Sequence, residues 1–470
     1  MSNLVRSRLA LATAALGALS LLAVLRAEDP PKPQAEKPAP VVKNDGPAKM
    51  GFAVEPKPLS DAVKKGLKYL VNQQQLNGGW GQGGGWRTNL DPQAGGGRVE
   101  GPEVADPPDV GNTCVALLAL IRAGNTPTEG PYAKNVAKGL DFIMGKVEAS
   151  DKESLFVTDV KGTQIQSKIG PYVDTFLTAM VLAELKGKTG DRKIEERLVA
   201  CANKTIGKME KHQKKDGTFA DNHAWASVLS QGLANKSFNY AAQKGIAVAN
   251  GTIRRVQEQV AGNFDANTGT FRTSGAAAIR GAIAARPGAP TATEAAPSDA
   301  GVQLYAASSN LTNAADVVRS GRIELKKLEK IVADAKASKE EKDLARDRLK
   351  AIKEAEELND RATAAVVKQL DNPAFVQGFG TNGGEEFLSF LNISETLLLK
   401  GGDEWKKWDK AISESLTRVQ NQDGSWSGHH CITGKTFCTA GALLVLMADR
   451  TPFPLEALAA KEGGKKEEKK

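Results

Sequence analysis

The sequence predicts an all-α fold, a closed double ring of about six helical hairpins with one further helical hairpin inserted. Three observations predict it. A four-point pattern recurs on identical spacing: Leu70, Gln74, Gly78 and Trp80, then Leu416, Gln420, Gly424 and Trp426. Met209, Gln213, Gly217 and Phe219 repeat it with Met and Phe substituted, and a weaker copy ends at Phe271. Such self-similarity marks a repeat architecture. Each copy also closes a stretch with apolar residues at helical spacing and is followed by a second, more apolar helix. Finally, the first and last copies are the best preserved, as neighbours across a seam would be.

Taken in order, the chain of 470 residues opens with Arg6 and Arg8 ahead of an uncharged run from Leu9 to Leu25, with Ala27 at a cleavage point. Residues 1–27 therefore read as an export signal, which implies a periplasmic or extracellular protein. Leu25 is larger than the residue preferred two places before a cleavage site, so retention as an N-terminal membrane anchor is the alternative. No second apolar run reaches the roughly 18 residues needed to span a bilayer. Residues 28–58 are rich in Pro, Lys and Glu and read as a disordered tether. The net charge of +8 falls to +5 once Arg6, Arg8 and Arg26 leave with the signal. No basic stripe with interleaved aromatics remains, so nucleic acid is excluded as a partner.

The body runs from 59 to 450. Its apolar helices are expected at 109–124, 170–187, 221–234, 298–309, 385–402 and 435–449, each paired with a more amphipathic one. In every copy of the pattern Gly supplies the turn, the aromatic packs back on the helix end, and Gln hydrogen-bonds backbone there. The glycine-rich stretch after Trp80 lacks the Gly-Lys-Ser/Thr of a phosphate loop and is expected to lie over the mouth of the ring. Residues 275–297 read as a mobile loop of low complexity. Residues 321–370 are charged, free of Pro and helix-favouring, and predict an antiparallel pair turning near Ser338; a dimer-forming coiled coil is the alternative. Residues 451–470 read as a charged, disordered tail.

The Lys-Gly opening, the aromatic-Leu pair, the Gln and the Gly-x-Trp ending of residues 65–80 resemble the QW repeat of squalene and oxidosqualene cyclases. Over residues 59–272 and 296–450 the chain resembles the α/α-toroid superfamily of terpenoid cyclases, protein prenyltransferase β subunits and complement-type thioester domains. It is similar to exported prenyltransferase/squalene oxidase repeat proteins. The resemblance implies an α/α toroid with any chemistry in its central cavity.

The catalytic signatures of these relatives are missing. There is no Asp-Asp pair for the cyclase acid, and aromatic residues make up only 5% of the chain, too few for a cavity walled by rings. No cysteine has Asp two places before it, as the prenyltransferase zinc site would need, and Gly-Cys-Gly-Glu-Gln is absent. Whether the protein is an enzyme therefore stays open.

Attention falls on Trp426–Cys438, which holds two of the four histidines and two of the four cysteines. Three readings stand: a zinc site from His429 or His430 with Cys431 and Cys438, a disulfide among Cys114, Cys431 and Cys438, or a partner- or ligand-binding loop. Trp80, Trp225, His429 and His430 are candidate ligand contacts. Asp109, Asp174 and His223 are candidate catalytic groups, against the ordinary role of Asp at helix starts as a cap. The function expected is that of a non-catalytic binding toroid whose cavity or mouth takes a peptide, glycan or lipid from the envelope. The alternative is a divergent enzyme acting on an isoprenoid or other apolar substrate.

Overall fold

Ser60 begins the first helix by accepting the Val63 amide on its hydroxyl oxygen at 3.3 Å, and the helix then runs as α1, Asp61–Gln73. The computed structural model describes residues 47–89, 97–265, 270–271, 298–378 and 382–459. The expected signal 1–27, tether residues 28–46, the loop 275–297 and tail residues 460–470 lie outside them. All described residues belong to the unit spanning 41–470.

Helices dominate. After α1 come α2 (Val110–Arg122), α3 (Ala133–Ala149), the short α4 (Gln164–Lys168), α5 (Val173–Leu185), α6 (Arg192–His212), α7 (Ser227–Gln243) and α8 (Asn250–Asn263). Then follow α9 (Ser298–Ala333), α10 (Lys339–Gln369), the short α11 (Pro373–Val376), α12 (Gly384–Lys400), α13 (Asp403–Arg418) and α14 (Lys435–Leu446). Helices α2, α5, α12 and α14 are buried on nearly every face, whereas α1 and α13 bury one stripe. The core helices pack in succession, α2 on α5, α5 on α7, α7 on α9, α9 on α12, α12 on α14, and α14 back on α2. The amphipathic α1, α3, α6, α8, α10 and α13 flank them. No helix among the described residues is long and apolar enough to cross a membrane.

The repeated pattern works as a brace. The Trp80 indole N–H donates to the Leu70 carbonyl at 2.7 Å, and that of Trp426 to the Leu416 carbonyl at 2.8 Å. Both rings are wholly buried. Their backbone amides donate to Thr113 and Thr439 hydroxyls on the following core helix, each at 2.9 Å. The glycine lets the turn lie on the next flanking helix: a Cβ on Gly78 would stand 2.3 Å from the Lys138 carbonyl oxygen, and one on Gly424 2.7 Å from that of Lys65. Both have positive φ. In the third copy Gly217 meets the Arg255 carbonyl in the same way, and Gln213 accepts from Arg255 Nε at 2.8 Å.

Three elements depart from the sequence expectation. The apolar helix 298–309 and the first half of the insertion form one continuous helix, α9, because nothing in 298–333 interrupts the backbone ladder. Gly321 within it allows close approach to Ile352 on α10, and Ser338 caps α10 in a capping box with Glu341. The distal end of this pair has its own small core of Leu328, Ala345 and Ile352. Next, α7 starts at Ser227 rather than 221, after a turn in which Asp221 has φ of 55°, and it extends to Gln243.

Residues within the expected tether 28–58 and tail 451–470 are ordered. Strand β1 (Met50–Phe52) pairs antiparallel with the last strand, Pro452–Pro454, in the register Met50↔Pro454 and Phe52↔Pro452. Three residues on each side hold too little apolar pattern to announce strands, and partner backbone supplies the missing hydrogen bonds. Two more ladders join Arg87–Asn89 to Gly97–Val99 and Phe264–Asp265 to Thr270–Phe271.

Candidate functional site

Helix α12 begins with two adjacent glutamates, and both are fully buried. Glu386 accepts from the Gly383 amide at 2.8 Å and from the Tyr305 hydroxyl at 2.5 Å, and its Oε2 lies 3.5 Å from His430 Nε2. Glu385 accepts from the Ile432 amide at 3.3 Å. Burial raises both carboxyls; His430, Tyr305 and the Gly383 amide favour ionised Glu386. Burial and then the Glu386 charge push Glu385 up to about 8.

The loop carrying His430 is fixed from the opposite side. The Trp86 indole N–H donates to the Cys431 carbonyl at 2.7 Å, and Gln164 Oε1 accepts the Thr433 and Gly434 amides at 2.8 Å each. Gln164 also donates to the Trp86 carbonyl at 3.0 Å, which ties the glycine-rich loop after Trp80 to the same point. Cys431 adopts φ of 52°, a conformation that a non-glycine residue holds only when its surroundings impose it.

A second acid pair stands at the starts of α2 and α5. Asp109 caps α2, accepting the Asn112 amide at 2.8 Å, and Asp174 accepts from Gln166 Nε2 at 2.7 Å. Burial, and next the Asp174 charge, push Asp109 up to about 7; burial raises Asp174 as well.

The structure places the sequence candidates unevenly. Trp80 is withdrawn from ligand contact, being wholly buried in its brace. Trp225 is half-buried against the core, and His223 and His429 are exposed. His430 does join a polar cluster, but with Glu386 and Tyr305 rather than with cysteines. All four cysteines are free, so the bridge considered for Cys114, Cys431 and Cys438 is not formed. Cys114 Sγ lies 3.6 Å from the Thr178 hydroxyl, and Cys438 donates to the Ile432 carbonyl at 3.4 Å. Burial pushes the Cys431 thiol up to about 12 and raises that of Cys438 as well, which disfavours thiolate chemistry. Among the described residues no three His, Cys, Asp or Glu side chains converge as a metal site would require, so the zinc set of His429, His430, Cys431 and Cys438 does not assemble.

Towards the other ends of the core helices lies a cavity of about 230 Å³. Leu118 and Ile121 of α2, Met180 of α5, Tyr240 of α7, Arg319 of α9 and Glu395 of α12 all face it. Phe52 and Pro452, paired across the terminal strands, also line it. Glu395 stands ten residues beyond Glu385, about 15 Å along α12. Sequence reading singled out His430 but missed Glu385, Glu386 and the charges of the cavity. The signal available was a charge inside a helix otherwise buried on every face, as at Lys236, Arg319 and Glu395, since such groups are rarely buried without partners.

Set beside known proteins, the chain matches no family model and no curated protein.

Proposed function

We propose that the chain is an exported α/α toroid that binds a small ligand with an apolar body, of the lipid class, on the axis of its ring without transforming it. The observation that carries this reading is the cavity, whose wall is drawn from five different core helices, α2, α5, α7, α9 and α12. Only a point central to those helices is within reach of all of them. The closing contact of α14 on α2 supports the same arrangement, with the flanking helices as an outer ring. The candidate catalytic groups favour a binding role too: Asp109 is engaged as a cap, Asp174 by Gln166, and the thiols are raised. Native mass spectrometry of the mature protein from its own envelope tests this. The expected result is a non-covalent adduct of roughly a few hundred daltons that a cavity-filling Met180→Trp variant loses. An empty wild-type cavity overturns the reading.

One observation favours a second reading, an enzyme acting on an apolar substrate. Glu385 adjoins Glu386, which accepts from the Tyr305 hydroxyl and lies 3.5 Å from His430, and burial raises both carboxyls, as a general acid needs. Turnover of polyprenyl compounds that disappears in Glu385→Gln would establish that reading in place of the first; no turnover sinks it.

A further inference from the structure

The cavity wall is unevenly charged. Among the described residues, Arg122, Lys188, Lys236, Arg319 and Arg450 face it against Glu184 and Glu395, a surplus of three positive charges. Side chains just behind the wall do not remove the surplus, because Asp316 pairs with Arg319 while Lys244 adds a further cation 3.6 Å from Glu184. Glu395 alone serves Arg122, at 3.0 Å, and Lys236. Lys236 and Arg319 are 7% and 5% exposed, so water does little for either. The wholly buried charges balance, Lys236, Arg319 and Lys244 against Glu395, Asp316 and Glu184, so the surplus rests on the half-buried Arg122, Lys188 and Arg450. The carboxyl ends of α2, α5 and α7 reach this region and their dipoles offset part of it. A discrete anion would offset the rest.

We propose that this cavity binds a small amphipathic anion whose carboxylate or phosphate head is held by Arg122, Lys236, Arg319 and Arg450. Its apolar body lies along Leu118, Met180 and Tyr240, which complete the wall. Arginine suits such a head because its planar fork meets two oxygens at once. The Arg319 guanidinium is already oriented, stacked 5.2 Å over the Phe453 ring. Arg450 stands half-buried at the rim, where Nη2 donates to the Lys57 carbonyl at 2.5 Å. Burial pulls Arg319 down only to about 10 and lowers Lys236, whose neighbour Glu395 opposes the fall.

The inference rests on the ligand-binding reading, and the test separates the two. Calorimetric titration of the full-length mature protein would use octanoate, octyl phosphate, octanol and inorganic phosphate. Octanoate or octyl phosphate should bind at least about tenfold more tightly than octanol, and Arg450→Gln should weaken that binding about fivefold. Arg450 is half-buried at the rim, so its variant should fold; Lys236→Met, isosteric in its stem, probes the deeper contact and should lose about tenfold. Equal affinity for octanoate and octanol overturns the anionic head but leaves a binding cavity. Inorganic phosphate binding as tightly as octyl phosphate overturns the apolar body. Unchanged affinity in both variants overturns the residue assignment, and no binding by any of the four overturns both readings.

Discussion

The side-chain amide of Gln420 donates to the carbonyl of Ala62, 358 residues earlier in the chain, at 2.9 Å, and to the Gly424 carbonyl at 2.8 Å. Gln74 makes the same pair of bonds, to Asn135 at 2.9 Å and Gly78 at 2.8 Å. Each glutamine therefore fastens its own turn and the first residues of the next flanking helix. For the last copy that next helix is α1, so the final repeat is joined to the first by the device that joins the first to its successor.

Gln420→Ala should accordingly destabilise the protein by about 1–2 kcal/mol, and Gln74→Ala by a similar amount, since each removes the donor to its turn carbonyl, Gly424 or Gly78, and cuts the tie to the next flanking helix. Urea unfolding of both variants checks this. A silent Gln420→Ala beside a costly Gln74→Ala would mean that the ends are not fastened in this way.

Glycines on the helices should sort by what they face. A Cβ at Gly66 would stand 2.8 Å from the Trp426 ring and 2.9 Å from Leu443 Cδ2, so Gly66→Ala should destabilise by about 1–3 kcal/mol. Gly145 and Gly207 meet nothing within 4 Å, and alanine there should stabilise by about 0.5–1 kcal/mol. Thermal melts of the three variants should show opposite signs; a uniform effect would contradict the packing of Trp426 on α1.

Stability should fall with pH through the Glu385 carboxyl. Its folded value, about 8, lies above the usual 4.5, so between those values the folded state binds the extra proton. The stabilisation is then complete below pH 4.5 and lost as pH rises to about 8, on the order of a few kcal/mol. Glu385→Gln mimics the protonated acid and should flatten this slope, leaving the variant more stable than the parent above pH 8. Denaturant titrations at pH 5, 7 and 8.5 would reveal it; parallel curves for parent and variant would refute it.

The distal half of the α9–α10 pair should open independently of the body. Leu328, Ala345 and Ile352 form a core separate from the main one, so Leu328→Ala should speed amide exchange there without changing exchange in α2 or α5. Equal loss of protection in both would show one cooperative unit.

The sequence by itself determined the repeat. Trp80, Trp426, their glutamines and their glycines lie on fixed spacing because a local turn must satisfy the same helix end each time, and local geometry is written in adjacent residues. The helical class followed from periodicity for the same reason, but the merging of 298–309 with the first half of the insertion into one helix did not. Tertiary structure alone decided what the buried acid cluster and the cavity contain. Glu385 and Glu386 read in sequence as ordinary acidic residues at a helix start, and became a buried pair only when Tyr305 and His430 reached Glu386 from 81 residues before and 44 after. Glu395, Lys236, Arg319 and Arg122 lie on four different helices and share one cavity only because those helices converge. The strands Met50–Phe52 and Pro452–Pro454 are likewise invisible apart from each other. Charges and strand edges take their meaning from partners distant in the chain, and spacing along one segment carries no information about them.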